Sequence, residues 1–132
     1  MRKVDRIELA NLLKTNVCEI VFIRRRPERT LKQNKFIRRM LCCNSNSLLN
    51  SINGITNLSY RKPKGPKKIN EAKHNVVVTW DIMMKDYRNV SMDKCFLVNQ
   101  YPANDTFWKF FAENIYIMSP EQQQYFMETL PQ

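Results

Sequence analysis

Residues 75–98 read NVVVTWDIMMKDYRNVSMDKCFLV, and the parity of their apolar side chains decides the fold. Val76, Val78, Trp80 and Ile82 share one parity, which is the spacing of a strand with a buried face. Met83, Met84, Lys85 and Asp86 break the alternation with a polar step. β-Favouring residues resume at Tyr87, and Val90 and Met92 fall on the parity opposite to Tyr87, Asn89 and Ser91. Two strands with a short, charged connection predict a β-hairpin. Neither Asn-Gly nor Asp-Gly occurs there, so the turn type stays open.

Upstream, residues 17–23 predict a first strand with Cys18, Ile20 and Phe22 on one face and Glu19 on the other. Strand character returns over 36–43, and 95–98 predict a last strand before Pro102 closes the β portion. A helix precedes these strands. Asp5 caps it, Glu8 completes an Asp-x-x-Glu capping box, and Val4 is spaced to staple against Leu9. Ile7, Leu9, Leu12 and Leu13 give its apolar face, and Asn16 supplies a left-handed stop.

The run VVVTWDIMMKDYRNV at 76–90, with RRMLC at 38–42 upstream and a leucine-bearing polar segment after it, resembles a family of small tailed-bacteriophage proteins. Trp80-Asp81 followed by Tyr87-Arg88 is the most specific part of the likeness, which spans about residues 5–98. The resemblance implies an Sm-like, SH3-type β-barrel related to the WYL domain, and brings no catalytic signature. It also implies the cytoplasm of an infected bacterial host as the place of action. The chain departs from the simplest family members in a long basic insert after Ile23 and in its C-terminal extension.

The chain has 132 residues, 43% of them hydrophobic, enough for one domain with a buried core. Its two glycines, Gly54 and Gly65, exclude a glycine-rich phosphate loop. A formal charge of +10 favours an anionic partner, first nucleic acid, then an acidic protein surface, then anionic lipid. Arg2, Lys3, Asp5 and Arg6 lead into a short amphipathic segment rather than a long apolar run, so neither a signal peptide nor a membrane span is read. Cys18, Cys42, Cys43 and Cys95 form no CxxC pair and no metal-ligand spacing, which points to buried reduced thiols.

The charge falls in two segments. Arg24, Arg25, Arg26, Arg29, Lys32, Lys35, Arg38 and Arg39 lie within sixteen positions, with Glu28 the one acid among them. Pro27 blocks regular pairing at the start of this run. The second segment, at 59–74, carries Arg61, Lys62, Lys64, Lys67 and Lys68, with Pro63, Gly65 and Pro66 against regular structure and Tyr60 beside Arg61. Both segments suit a phosphate backbone, since each arginine offers a planar donor fork. Tyr87 and Arg88 add stacking or a charged contact at the barrel edge. The competing reading is a solvated loop and a solvated linker. Between the two segments, 44–57 is a polar connector in which Leu48, Leu49 and Ile52 have helical spacing and Gly54 is a stop signal.

After residue 99 the balance reverses, with Lys109 alone against Asp105, Glu113, Glu121 and Glu128. Asn104 or Asp105 caps a helix through about Met118 whose broad apolar face carries Phe107, Trp108, Phe111, Ile115 and Met118. Ser119 caps a second helix with Pro120 at its first position and Tyr125, Phe126 and Leu130 on its apolar side. These helices pack on the barrel or mediate self-association as a homo-oligomer.

Catalytic chemistry is not read. His74 is the sole histidine, and HExxH, GxSxG and P-loop patterns are absent. Asp81, Asp86 and Asp93 surround the hairpin at spacings that do not converge on strands, and turn or surface roles are expected for them. The expectation is an α+β protein with two parts. Residues 1–98 form an N-terminal helix and a small, bent, antiparallel SH3/Sm-like barrel, with basic insertions at about 24–39 and 59–74. Residues 99–132 form a helical appendage. The expected function is non-enzymatic and regulatory: nucleic-acid binding through clustered basic residues, without cofactor or metal. A host-takeover adaptor or inhibitor on an acidic bacterial surface is the alternative.

Overall fold

The computed structural model describes residues 1–26, 36–45, 68–102, 105–114 and 117–131. The fold is α+β. Among the described residues six strands run as β1 (Arg2–Lys3), β2 (Asn16–Ile23), β3 (Ile37–Cys43), β4 (Val76–Asp81), β5 (Asp86–Ser91) and β6 (Cys95–Pro102). The helices are α1 (Arg6–Leu13), α2 (Glu71–His74), α3 (Asp105–Asn114) and α4 (Pro120–Glu128). The strands form one sheet in the order β1-β6-β2-β3-β4-β5, antiparallel at every pairing.

The hairpin lies where its parity places it. Val76 pairs with Ser91 and Asp81 with Asp86, so Ile82 to Lys85 form the loop. The turn needs no Asn-Gly because Asp81 builds it. One carboxylate oxygen accepts the backbone N–H groups of Met83 and Met84, both at 3.1 Å, while Lys85 takes the left-handed conformation at φ 55°.

The sheet does not close into the expected barrel. β1 offers two residues, paired with Phe96 and Leu97, and β3 meets β4 only at Cys42–Asp81 and Cys43–Trp80. β1 and β5 therefore remain as edges. A bulge between Glu19 and Ile20 shifts the register of β2 against β6.

Both faces of the sheet are covered. On one, Cys18, Ile20, Phe22, Met40, Cys42, Val77, Val90 and Cys95 pack with Val4, Leu9 and Leu13 around α1. On the other, Val17, Leu41, Cys43, Trp80 and Ile82 pack with Phe111 of α3, and Met118 and Phe126 lie against them. Parity therefore captured half of β4. Trp80 and Ile82 are buried as expected, but Val77, Thr79 and Asp81 on the opposite parity are buried too.

Several local expectations change. Ile7 is 63% exposed and leaves the α1 core face to Leu9 and Leu13. The Asp5 side chain accepts from the Glu8 N–H at 2.8 Å, but the Glu8 carboxylate turns to Arg2 rather than closing a capping box. Asn16 is not left-handed; it begins β2, and its amide donates to the Leu12 carbonyl. β6 runs to Pro102, four residues beyond the expected strand, because pairing with β2 continues there. α3 stops at Asn114. The Ser119 cap of α4 is a complete capping box with Gln122. That helix buries Met127, while Tyr125 and Leu130 are exposed. The 44–57 helical turn with Leu48, Leu49, Ile52 and Gly54, together with Pro27, Tyr60, Pro63, Gly65, Pro66, Asn104, Ile115 and the side chains of Phe107 and Trp108, lies outside the described residues.

Candidate nucleic-acid interface

Three of the expected cations, Arg24, Arg25 and Arg26, come together at the end of the sheet where β2 stops. There the Ile23 N–H donates to the Lys94 carbonyl at 3.0 Å and the Arg24 N–H to the Phe36 carbonyl at 2.7 Å. Arg24, Arg25 and Arg26 then leave the sheet beside α2 and the β5–β6 turn.

Arg25 is the anchor. Its guanidinium grips Asp93 with two parallel bonds, Nε to Oδ2 at 2.8 Å and Nη2 to Oδ1 at 3.0 Å. Nη2 also donates to the His74 carbonyl at 2.7 Å. The Asn75 amide and the Ser91 hydroxyl donate to the same carboxylate. Arg25, foremost, holds Asp93 well below the usual carboxylate range. Asn75 can deliver its amide because it sits left-handed, at φ 50°, past the end of α2.

Arg24, Arg25 and Arg26 surround a cleft of about 280 Å³. Phe22, Ile69 and Val76 give it apolar walls, and His74, Asn89 and Ser91 are polar. Arg24 Nε donates to the Arg26 carbonyl at 3.3 Å, which ties the two residues together. The Arg26 guanidinium and the Asn89 amide make no hydrogen bond among the described residues. Lys68, Lys73 and Lys94 are exposed nearby in sequence to these elements, and the last two were not among the expected site residues.

The other expected site residues are placed elsewhere. Arg38 is a correction: its side chain is 4% exposed and pairs at 2.7 Å with Asp81, itself 1% exposed. No phosphate reaches it, because β3 directs it into the sheet beside Met40 and Cys42. Asp81 is likewise no surface residue, although its turn role holds. Burial raises its carboxyl, against the opposing pull of Arg38 and the Met84 and Met83 N–H groups. Arg39 pairs with Glu19 at 3.0 Å and lies 4.0 Å from the centre of the Phe126 ring, so it helps seat α4. Tyr87 meets Trp80 edge to face at 5.0 Å and is half-buried rather than open for stacking. Arg88 pairs with Asp86 at 3.1 Å, about 10 Å along β5 from Ser91 at the usual strand rise. Lys68 is exposed. Arg29, Arg61, Lys62, Lys64 and Lys67 lie outside the described residues.

A larger cleft, about 490 Å³, lies between Arg39 and α4. Its one guanidinium already faces Glu19, and Glu121 stands in its lining, so its charge is balanced. The thiols are poor nucleophiles: burial pushes Cys18 and Cys95 up to about 12 and Cys42 well above the ordinary thiol value. Among the described residues no group of three His, Cys, Asp or Glu is arranged to hold a metal ion, and no helix is long and apolar enough to cross a membrane.

The residues that sequence reasoning missed are Asp93, Asn75, Asn89 and the His74 carbonyl. Ser91-Met92-Asp93 is a recognisable turn signal, but nothing local links it to Arg25, 68 positions away. No protein-family model, no curated protein and no solved structure matches this chain.

Proposed function

We propose that this chain is a non-enzymatic, regulatory nucleic-acid-binding protein whose contact surface is the Arg24–Arg26 end of the sheet, with a phage source as the family resemblance implies. The arrangement of Arg25 carries the proposal. Asp93 and the His74 carbonyl hold it, and it stands between Arg24 and Arg26 in the lining of the cleft. Arg25 is already paired with Asp93, so the phosphate contacts fall to its neighbours. A pair of cations held on a sheet end meets backbone phosphates with less ordering than free side chains require.

A kinship with the SH3/Sm-like fold, as an open sheet and not a closed barrel, also belongs to this proposal. Its support is the single antiparallel sheet with short connections at β4–β5 and β5–β6 and an N-terminal helix packed on one face.

The test is a salt titration of affinity for DNA and RNA, with Arg24→Gln/Arg26→Gln beside the parent. Arg25 is left intact because it is already committed to Asp93 and the His74 carbonyl. The parent's log affinity falls linearly with log salt, and the double variant's slope is shallower by roughly 1.4–1.8, two contacts at about 0.7–0.9 each. The loss is similar across unrelated sequences. No binding by the parent at low salt ends the proposal and leaves the adaptor reading.

A further inference from the structure

A surface that only follows phosphates needs no recess, yet the three arginines stand around one. Its walls differ in chemistry. Ile69, half-buried, and the edges of Phe22 and Val76 are apolar, while Asn89 and Ser91 project polar groups from β5. Ser91 is occupied with Asp93, but the Asn89 amide, with two donors and an acceptor, is uncommitted among the described residues. At about 280 Å³ the cleft lies just under the roughly 300 Å³ at which drug-sized sites begin. One planar base with its sugar matches that scale.

We infer that this cleft takes one unpaired nucleotide, so that the protein binds single-stranded nucleic acid in preference to duplex. The inference rests on the proposed function of the same arginines. Arg24 and Arg26 hold the phosphate, Ile69 meets the face of the base, and the Asn89 amide meets its edge. In a duplex each base is stacked and paired, and bringing one into a recess costs a few kcal/mol. A single strand presents its bases already splayed, which is how base faces and edges reach protein side chains in general.

The test uses the full chain and fluorescence anisotropy with labelled oligonucleotides of about ten nucleotides, within the usual single-strand site sizes of ~4–16. The probes are single-stranded DNA, single-stranded RNA and the matched DNA duplex, at one salt concentration. The single strands bind at least about tenfold more tightly than the duplex. Asn89→Ala and Ile69→Ala each weaken single-strand binding several-fold and leave duplex binding unchanged, whereas Arg24→Gln/Arg26→Gln weakens both. Asn89 is exposed, so a melting temperature equal to the parent's confirms that its effect is local. A single-strand preference in either the DNA or the RNA arm supports the inference, and the larger of the two identifies the sugar. Equal affinity for single strand and duplex overturns it and leaves phosphate binding standing, as does a loss in the two alanine variants that is equal for both forms. Absence of binding to every probe overturns the underlying function as well.

Discussion

At the scale of single residues, Arg38 and Asp81 show how little charge alone says about exposure. Two ions removed from water recover that cost only through good geometry and full hydrogen bonding, and here Arg38 also donates to the Arg39 carbonyl while Asp81 serves two turn amides. Arg38→Met leaves a buried carboxylate unpaired and is expected to cost about 3–5 kcal/mol in urea unfolding, whereas Lys94→Met, at an exposed site, moves stability within about 0.5 kcal/mol. The two shifted aspartates act on acid stability with opposite sign. Asp93 is depressed by Arg25, so its contribution is present above the ordinary aspartate value of ~3.9 and is lost as the pH falls below it. Asp81 is raised by burial; its charged form opposes folding, and protonation relieves that opposition. Asp93→Asn should therefore flatten the acid limb of a stability–pH curve, and a limb as steep as the parent's would show that Arg25–Asp93 contributes nothing. Neither pair was legible in the sequence. The arginines read as phosphate ligands because their partners are 43 and 68 positions away, beyond the reach of local spacing.

At the scale of elements, local pattern was most informative where one face decides. The β4–β5 hairpin, the strand of Cys18, Ile20 and Phe22, the Asp5 cap and the Ser119 cap with Pro120 could all be read directly. β1 could not, because Arg2 and Lys3 carry no apolar alternation and are strand only through β6. The far half of β6, Asn99 to Pro102, is polar or exposed, and only its register with β2 defines it. Trp80 links this scale to the next. It is fully buried, with Tyr87 on its edge and α3 and α4 over its face of the sheet. Trp80→Ala is expected to cost about 3–5 kcal/mol, and a denaturation midpoint equal to the parent's would remove it from the core.

At the scale of the whole molecule, the C-terminal helices cover an apolar sheet face. Truncation after Pro102 uncovers Val17, Leu41 and Trp80 by removing Phe111 and Phe126. The shortened chain is expected to bind a hydrophobic dye and to associate with rising concentration, since such a patch is rarely left open; a dye-silent monomer would show that the helices are dispensable. The pairing of β2 with β6 has a kinetic consequence. Glu19 lies beside Asn99, 80 positions later, so a ribosome must complete nearly the whole sheet sequence before β2 gains its second neighbour. Until then only β3 flanks β2, and its other edge is open to strands of other chains. The β4–β5 hairpin closes locally within microseconds, whereas the β2–β6 seam must wait for a large loop to close. Folding of the nascent chain is thus gated by its last strand, and the interval before β6 emerges is when misassociation of this protein is most readily seeded.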